Sequence, residues 1–335
     1  QRFASRNEPT EIRRMNSVAS YPNDLRALLD AELRADVSPA AAALGDELGA
    51  RFGDAVLGIL YYGACFRSGE EEDGILDLFV IVDDYRSVYS KRLTAFANRL
   101  LPPNIFYYEM DFEGATVRTK YAIISLDQFA HRTSCQCFHT FFWARFAQPC
   151  ALILGHDHTV RQKIVSALEN AVITFTTRVL PLLPSHFDAE TLWTVGLSAS
   201  YRTELRPERG GTAARLVAKN LARYQAVTRL ALARRFEIET ADGGSDRTRY
   251  VATLSRRRRW FARQGWRIRR VQGKVINLLR IMKAAFTFDG GVDYILWKIE
   301  RHSGIKVEAT PMLRRHPLLA CWPTVWRLYR AGAFR

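Results

Sequence analysis

Two stretches decide the fold of this chain: LYYGACF at residues 60–66 and LDLFVIVDD at residues 76–84. Both are rich in β-branched and aromatic residues, which predicts two neighbouring strands. Gly63 lies in the turn that ends the first strand, where backbone N–H groups can hold phosphate. Asp77 lies in the second strand and offers carboxylate oxygens, the ligands that Mg²⁺ prefers. The pair therefore indicates a site for phosphate and metal.

The position of Asp77 within its strand decides which way its side chain points. It alternates with two leucines, so it faces opposite to them and can emerge beside the Gly63 turn. Nucleotidyltransferases use this arrangement to place a triphosphate beside metal-binding carboxylates. A plain hairpin or βαβ corner with Asp77 in a salt bridge gives the same pattern. Asp83 and Asp84, at the end of the strand, fit a turn or a helix cap.

Further charged side chains lie on two later strands. Glu109 and Asp111 share one face of a strand, and neighbouring strands could bring them near Asp77. Two carboxylates on one face repel unless a cation lies between them, which predicts a metal site, although a solvated edge strand gives the same pattern. Lys120 could neutralise a phosphate, although most lysines only solvate a surface.

Composition limits the class of protein. The 335 residues are 48% hydrophobic and 25% charged, as in ordinary soluble proteins, and should form two or three units. No run approaches the roughly 20 apolar residues of a transmembrane helix, and we expect no signal peptide. Five cysteines without a C-x-x-C pair argue against a disulfide framework or a structural zinc site. A cytosolic or matrix-facing protein is expected.

The net charge of +15 lies in the last quarter of the chain. Residues 251–335 hold 19 Lys and Arg against 4 Asp and Glu. This asymmetry predicts an anionic partner, either phospholipid or nucleic acid. Apolar residues recur every three or four positions over 266–282 and again over 292–299, which predicts amphipathic helices. Packing on the core explains such stripes equally well, but arginines with five tryptophans favour a bilayer interface over nucleic acid.

The order of predicted elements indicates an α+β or α/β catalytic unit followed by a helical half. The predicted helices are 25–33, 40–52, 93–101, 127–147, 160–180 and much of 189–236, and the predicted strands are 56–62, 75–82, 105–112 and 117–125.

Several segments, in order over roughly residues 55 to 300, resemble the mitochondrial-type phosphatidate cytidylyltransferases. These translocator assembly and maintenance proteins make CDP-diacylglycerol. The segments are Tyr62-Gly63-Ala64, Leu76-Asp77, Val82-Asp83-Asp84, Tyr107-Tyr108, residues 120–125 (KYAIIS), residues 144–149 (ARFAQP), Gly196-Leu197-Ser198, Glu204-Leu205-Arg206 and, more weakly, residues 283–287 (KAAFT).

The resemblance implies an α+β fold in three parts. These are a nucleotidyltransferase domain with a mixed sheet over 23–155, a helical, winged-helix-like domain over 156–250 and a basic membrane-docking region over 251–335. It implies Mg²⁺ as cofactor and CTP and phosphatidate as substrates. It also implies a peripheral protein on anionic phospholipid, on the cytoplasmic face of a bacterial inner membrane or the matrix face of the mitochondrial one. Nucleic acid is not expected as a partner, and a homo-oligomer is possible.

Carried over by position, the resemblance implies roles for individual residues. The predicted nucleotide-binding residues are Tyr62, Gly63, Ala64 and Lys120, the catalytic ones are Asp77 and Lys120, and the cleft residues are Glu204, Arg206 and Lys283. The metal ligand carried over is Asp77, and the strand spacing adds Glu109 and Asp111 as the other predicted metal ligands.

Two positions depart from the family pattern. Ala64 replaces the usual serine, which removes a hydroxyl contact worth about 1 to 3 kcal/mol. Phe79 stands where the wider superfamily has a second aspartate, so Glu109 or Asp111 would have to complete a metal site. Two alternatives stay open: a nucleotidyltransferase acting on RNA or another acceptor, and a catalytically silent protein that binds anionic lipid.

Overall fold

The computed structural model describes residues 24–69, 75–205, 211–233, 238–241 and 248–287. They form a mixed α/β structure with two sheets. The helices are α1 (Leu25–Glu32), α2 (Pro39–Phe52), α3 (Gly63–Ser68), α4 (Tyr85–Val88), α5 (Arg92–Leu100), α6 (Leu126–Thr133), α7 (Phe141–Phe146), α8 (His158–Val179), α9 (Ala189–Tyr201), α10 (Thr212–Lys219), α11 (Leu221–Leu232) and α12 (Arg256–Thr287). The strands are β1 (Val56–Tyr62), β2 (Ile75–Val82), β3 (Asn104–Phe112), β4 (Ala115–Ser125), β5 (Ala151–Gly155), β6 (His186–Asp188), β7 (Ile238–Ala241) and β8 (Arg249–Ala252).

The larger sheet has the strand order β3-β4-β2-β1-β5, in which β2 and β4 are parallel and the other pairs antiparallel. Helices cover both faces, which explains why β2 is an almost continuous apolar run. On one face, Leu60 and Phe79 join a core with α1, α6, α7 and α8; on the other, Leu78 and Val80 pack with α2 and α5. Asp77 therefore interrupts β2 at the end of its buried part.

The smaller sheet has the order β6-β8-β7 and is antiparallel throughout. Its core is continuous with that of the larger sheet. Trp193 of α9 packs between α8 and α11, because its ring centroid lies 4.5 Å from that of Phe175 in α8 and 4.5 Å from that of Tyr224 in α11. Its indole N–H donates to the Thr228 hydroxyl at 2.9 Å, which satisfies its buried polar atom.

The long helix α12 packs on the fold with one face. Trp266 is buried against Trp143, and the Arg269 guanidinium lies 4.0 Å from the ring centroid of Phe138. Gly273 comes so close to the backbone of Thr203 that a Cβ would not fit. The opposite face is exposed. No helix in the described residues is long and apolar enough to cross a membrane.

Most predicted elements are confirmed, including all four predicted strands, but two predictions are wrong. Residues 127–147 are not one helix, because the hydroxyl of Ser134 bonds the carbonyl of His131 and competes with the helical hydrogen bonds. The predicted helical character of much of 189–236 is confirmed and is divided among three helices, α9 to α11. The turn after β1 is the start of α3. Sequence reasoning also missed β5 to β8, which are three to five residues long and too short to show a period.

Candidate functional site

Four polar side chains form a row across one face of the larger sheet. Strand register places Tyr62 opposite Asp77, Asp77 opposite Lys120, and Lys120 opposite Tyr107. Directly opposed residues share a face of the sheet, so β1, β2, β4 and β3 each contribute one side chain. The next position of β2 on this face is Phe79, which is fully buried. The row thus lies where the apolar core gives way to polar surface.

Asp77 and Gly63 lie side by side. Gly63 has a φ of +97°, and a Cβ there would lie 2.5 Å from Oδ2 of Asp77. Glycine meets both demands, because it adopts positive φ and leaves room for the carboxylate. Gly63 also begins α3, and the side chain of its cap residue Tyr62 makes no capping bond. The first turn of α3 therefore begins beside Asp77, and its cap residue supplies no side-chain acceptor.

The charge of Asp77 is balanced loosely. Its Oδ1 lies 3.5 Å from Nζ of Lys120, and the two side chains are 29% and 25% exposed. This separation is longer than a strong charged hydrogen bond, so the carboxylate keeps capacity for another partner. Burial, and then the charge of Asp77, raise the pKa of Tyr62, whose phenol stays neutral.

Arg145 connects this row to a cleft between α7 and the end of α9. Its Nη2 lies 3.5 Å from Oε1 of Glu204, and its guanidinium lies 5.7 Å from the ring centroid of Tyr62. Burial disfavours its charge, but the carboxylates of Glu204 and Asp77 favour it, and the pKa of Arg145 is raised. Sequence reasoning gave Arg145 no role. The available signal was a cation in the apolar helix FFWARF.

The cleft is small, about 20 Å³, which is room for about one water molecule. Its walls include Gln148, Tyr201 and Glu204. A 2.7 Å hydrogen bond between the hydroxyls of Thr140 and Thr203 connects the segment before α7 with the segment after α9. Two buried polar atoms here, Nη1 of Arg145 and Oε1 of Gln148, have no hydrogen-bond partner in the part of the chain that the structure describes. Such orphan atoms are rare and call for a ligand or water.

Glu109 and Asp111 are engaged elsewhere. Glu109 accepts a 2.9 Å hydrogen bond from the Tyr107 hydroxyl and lies 3.6 Å from Arg118. Asp111 accepts from the N–H of Gly114 in the β3–β4 turn. Within the described ranges, no group of three or more His, Cys, Asp or Glu side chains is placed to hold a metal.

Mg²⁺, which the resemblance implies, can be held by one or two carboxylates together with substrate phosphates. Asp77 fits as that one carboxylate, because it is partly exposed and its one ion-pair partner among the described residues is a lysine 3.5 Å away. Glu109 and Asp111 are less available, because one oxygen of each already accepts a hydrogen bond within β3 or its turn. The donor set therefore matches a metal that arrives with the nucleotide phosphates.

Two predicted cleft residues remain. Lys283 belongs to α12, and its ammonium reaches the end of α5, where it donates to the carbonyls of Leu101 and Pro103 and to the side chain of Asn98. Burial, and then nearby arginines, lower the pKa of Lys283 to about 7. Arg206 lies outside the described residues.

No protein-family model matches this chain, and no curated protein sequence does either.

Proposed function

We propose that this protein is a nucleotidyltransferase that transfers CMP from CTP to phosphatidate and so forms CDP-diacylglycerol and pyrophosphate. The observation that carries the proposal is the position of Asp77, between Lys120 and the glycine that begins α3. A carboxylate for the metal, a cation for phosphate and uncapped backbone N–H groups thus lie within one small region.

The surrounding fold supports this proposal. The five-stranded mixed sheet fits the nucleotidyltransferase domain that the resemblance implies. The strand order β6-β8-β7, with helices α9 to α11 between β6 and β7, fits the winged-helix-like second domain. Glu204 comes from the end of α9 and faces Arg145 of α7, so the substrate cleft would lie where the two parts meet.

The chemistry follows from the charges. An oxygen of the phosphatidate phosphate attacks the α-phosphorus of CTP, the bond from that phosphorus to the bridging oxygen breaks, and pyrophosphate leaves. Lys120 and the first N–H groups of α3 hold the triphosphate and offset its negative charge. Asp77 would hold Mg²⁺, which when bound neutralises charge on the phosphates. Such a reaction needs mostly positioning and electrostatic stabilisation.

The exposed face of α12 supports a peripheral membrane location. Val271, Val275 and Leu278 lie on this face and are 66%, 51% and 54% exposed. The helix contains eleven Lys and Arg and no Asp or Glu. Apolar side chains flanked by cations bind the interface of an anionic bilayer, with the polar face toward the headgroups. Nucleic acid would match the charge but not the apolar stripe.

The test is turnover of CTP with phosphatidate vesicles and Mg²⁺. We expect Asp77→Asn to lower turnover by about 100-fold, because it removes a charge that acts on the transition state. Asp83→Asn, at the opposite end of β2, is the matched control and should stay active. Full activity of Asp77→Asn would refute this site. Among the four nucleoside triphosphates with Mg²⁺, CTP should raise the melting temperature most.

Ala64 favours a second candidate, a catalytically silent protein that binds anionic lipid. The family's serine hydroxyl is missing at this exposed position of α3. If Ala64→Ser and the unaltered protein both bind vesicles but neither is stabilised by a nucleotide, the silent alternative holds. If Ala64→Ser raises turnover, the residue weakens an active enzyme without abolishing its function.

A further inference from the structure

Three arginines lie close together beside the cleft, on three different helices. The guanidinium carbons of Arg145 (α7) and Arg280 (α12) lie 4.0 Å and 4.2 Å from the ring centroid of Phe141. Arg132 (α6) lies 5.9 Å from the ring of the adjacent Phe142. The shared ring limits the separation of the first two, because their guanidinium carbons are at most about 8.2 Å apart.

These charges are poorly compensated. Among the described residues, the ion pairs of these three arginines involve one carboxylate. It belongs to Glu204, whose Oε1 lies 3.5 Å from Nη2 of Arg145. Arg280 is 9% exposed and donates to the carbonyl of Pro102 at 2.9 Å. Nη1 of Arg145 and Nε of Arg132 are buried and have no acceptor among the residues that the structure describes. Burying like charges is costly unless an anion accompanies them.

The cluster has consequences for its neighbours. Burial, and then the charges of Arg145 and Arg132, lower the pKa of Arg280 to about 9. His139 lies in the same cluster, and burial followed by the three arginines lowers its pKa to about 3. A neutral histidine and a buried arginine whose pKa is lowered, as in His139 and Arg280, are what an electropositive pocket produces before its anion binds.

We propose that Arg145 and Arg280 bind the phosphomonoester of the lipid acceptor. Two charge-assisted bonds of about 2.8 Å, to different oxygens of one phosphate, can span guanidiniums at this separation. Arginine suits the task, since its fork of N–H donors matches phosphate oxygens and stays charged. The proposal rests on the function proposed above and adds to it the site of the acceptor.

The position of the pair fits a lipid better than a soluble phosphate. Arg280 directly follows Leu278 and Leu279 of α12, whose side chains are 54% and 45% exposed. Arg280 itself is 9% exposed and lies on the packed side of this helix, so a lipid held at the apolar surface would lie across the width of α12 from it, a distance of about 10 Å. Arg145, the other member, is near enough to Asp77 for that carboxylate to raise its pKa. The pair thus lies between the membrane-facing helix and the nucleotide site.

The experiment is calorimetric titration of the full chain with dihexanoyl phosphatidate below its micelle concentration, so that membrane docking plays no part. Inorganic phosphate and glycerol 3-phosphate test the free anion, and dihexanoylglycerol tests the lipid without phosphate. We expect Arg145→Met and Arg280→Met each to weaken dihexanoyl phosphatidate binding at least about tenfold, which is about 1.4 kcal/mol. CTP affinity should change much less. Arg215→Met, at an exposed arginine of α10, is the control.

Arg145→Lys and Arg280→Lys keep the charge and cover the case in which a methionine variant does not fold. They should also weaken binding, since lysine lacks the bidentate fork. Unchanged phosphatidate affinity in folded variants, or a loss of CTP affinity instead, would overturn the assignment. Equal binding of inorganic phosphate and dihexanoyl phosphatidate would overturn the lipid as the source. Binding that depends on both arginines, without CTP turnover by the unaltered protein, would support the acceptor site and refute the enzymatic function.

Discussion

Replacing Gly63 by alanine should damage both the stability and the nucleotide site of this protein. Two costs add at this position. A residue with a Cβ is strained at a φ of +97°, by about 1 to 3 kcal/mol. The new Cβ would also lie 2.5 Å from Oδ2 and 3.0 Å from Cβ of Asp77, and overpacking of this kind costs about 1 to 3 kcal/mol.

Gly69 is a matched control, because its φ is +71° but a Cβ there would meet nothing within 4 Å. Gly69→Ala should therefore lose only the backbone cost, about 1 to 2 kcal/mol. The difference between the two variants contains the contact with Asp77 together with any extra backbone strain at φ +97°. Urea unfolding gives both free energies.

A double variant sharpens the test. Asp77→Ala removes the carboxylate and relieves most of the contact, so Gly63→Ala should cost less in that background, by about 1 kcal/mol or more. In the native background, Gly63→Ala should also abolish the stabilisation by CTP and Mg²⁺, whereas Gly69→Ala should keep it. Equal losses of stability in both glycine variants, with CTP stabilisation retained, would refute the proposed closeness of Gly63 and Asp77.

Three further predictions concern other parts of the fold. Arg223→Met should lower the free energy of unfolding by about 3 to 5 kcal/mol, because Arg223 donates two hydrogen bonds to Glu32, at 2.7 and 3.0 Å, and its loss leaves a buried carboxylate without a partner cation. Urea unfolding measures this loss, and a variant that also carries Glu32→Leu should recover part of it. Burial and then the nearby arginines lower the pKa of His139 from 6.5 to about 3 in the folded protein, so the unfolded chain takes up a proton first and stability falls as the pH drops below 6.5, by up to about 1.4 kcal/mol per pH unit. His139→Gln should reduce this dependence of stability on pH between about pH 4 and 6. An unchanged dependence would show that other groups cause it. Val271→Gln combined with Val275→Gln removes apolar side chains from the exposed face of α12 and should weaken binding to anionic vesicles at least about tenfold. The helical circular dichroism should not change. Unaltered vesicle binding would contradict docking through the exposed face of α12.

Local signals in the sequence predicted the strands and the neighbourhood of Gly63 and Asp77. The run LDLFVIV is apolar enough to require burial on both faces, and its aspartate could face only one side of the strand. Gly63 and Asp77 are close in sequence and joined by adjacent antiparallel strands, so their contact needed little more than the correct strand assignment. The prediction of Glu109 as a metal ligand stays a prediction, but it did not include Arg118, because the register that places Arg118 opposite Glu109 could not be derived from one strand alone.

The sequence by itself determined the positions of β1 to β4, the amphipathic character of α12 and the concentration of positive charge near the carboxyl end, because these depend on local composition and period. Only the tertiary structure decided which side chains meet. Arg145, Glu204 and Arg280 come from segments far apart in the chain, and no local pattern marks their meeting. Strand register likewise decided that Lys120 faces Asp77, since a shift of one residue would have moved the lysine to the other face.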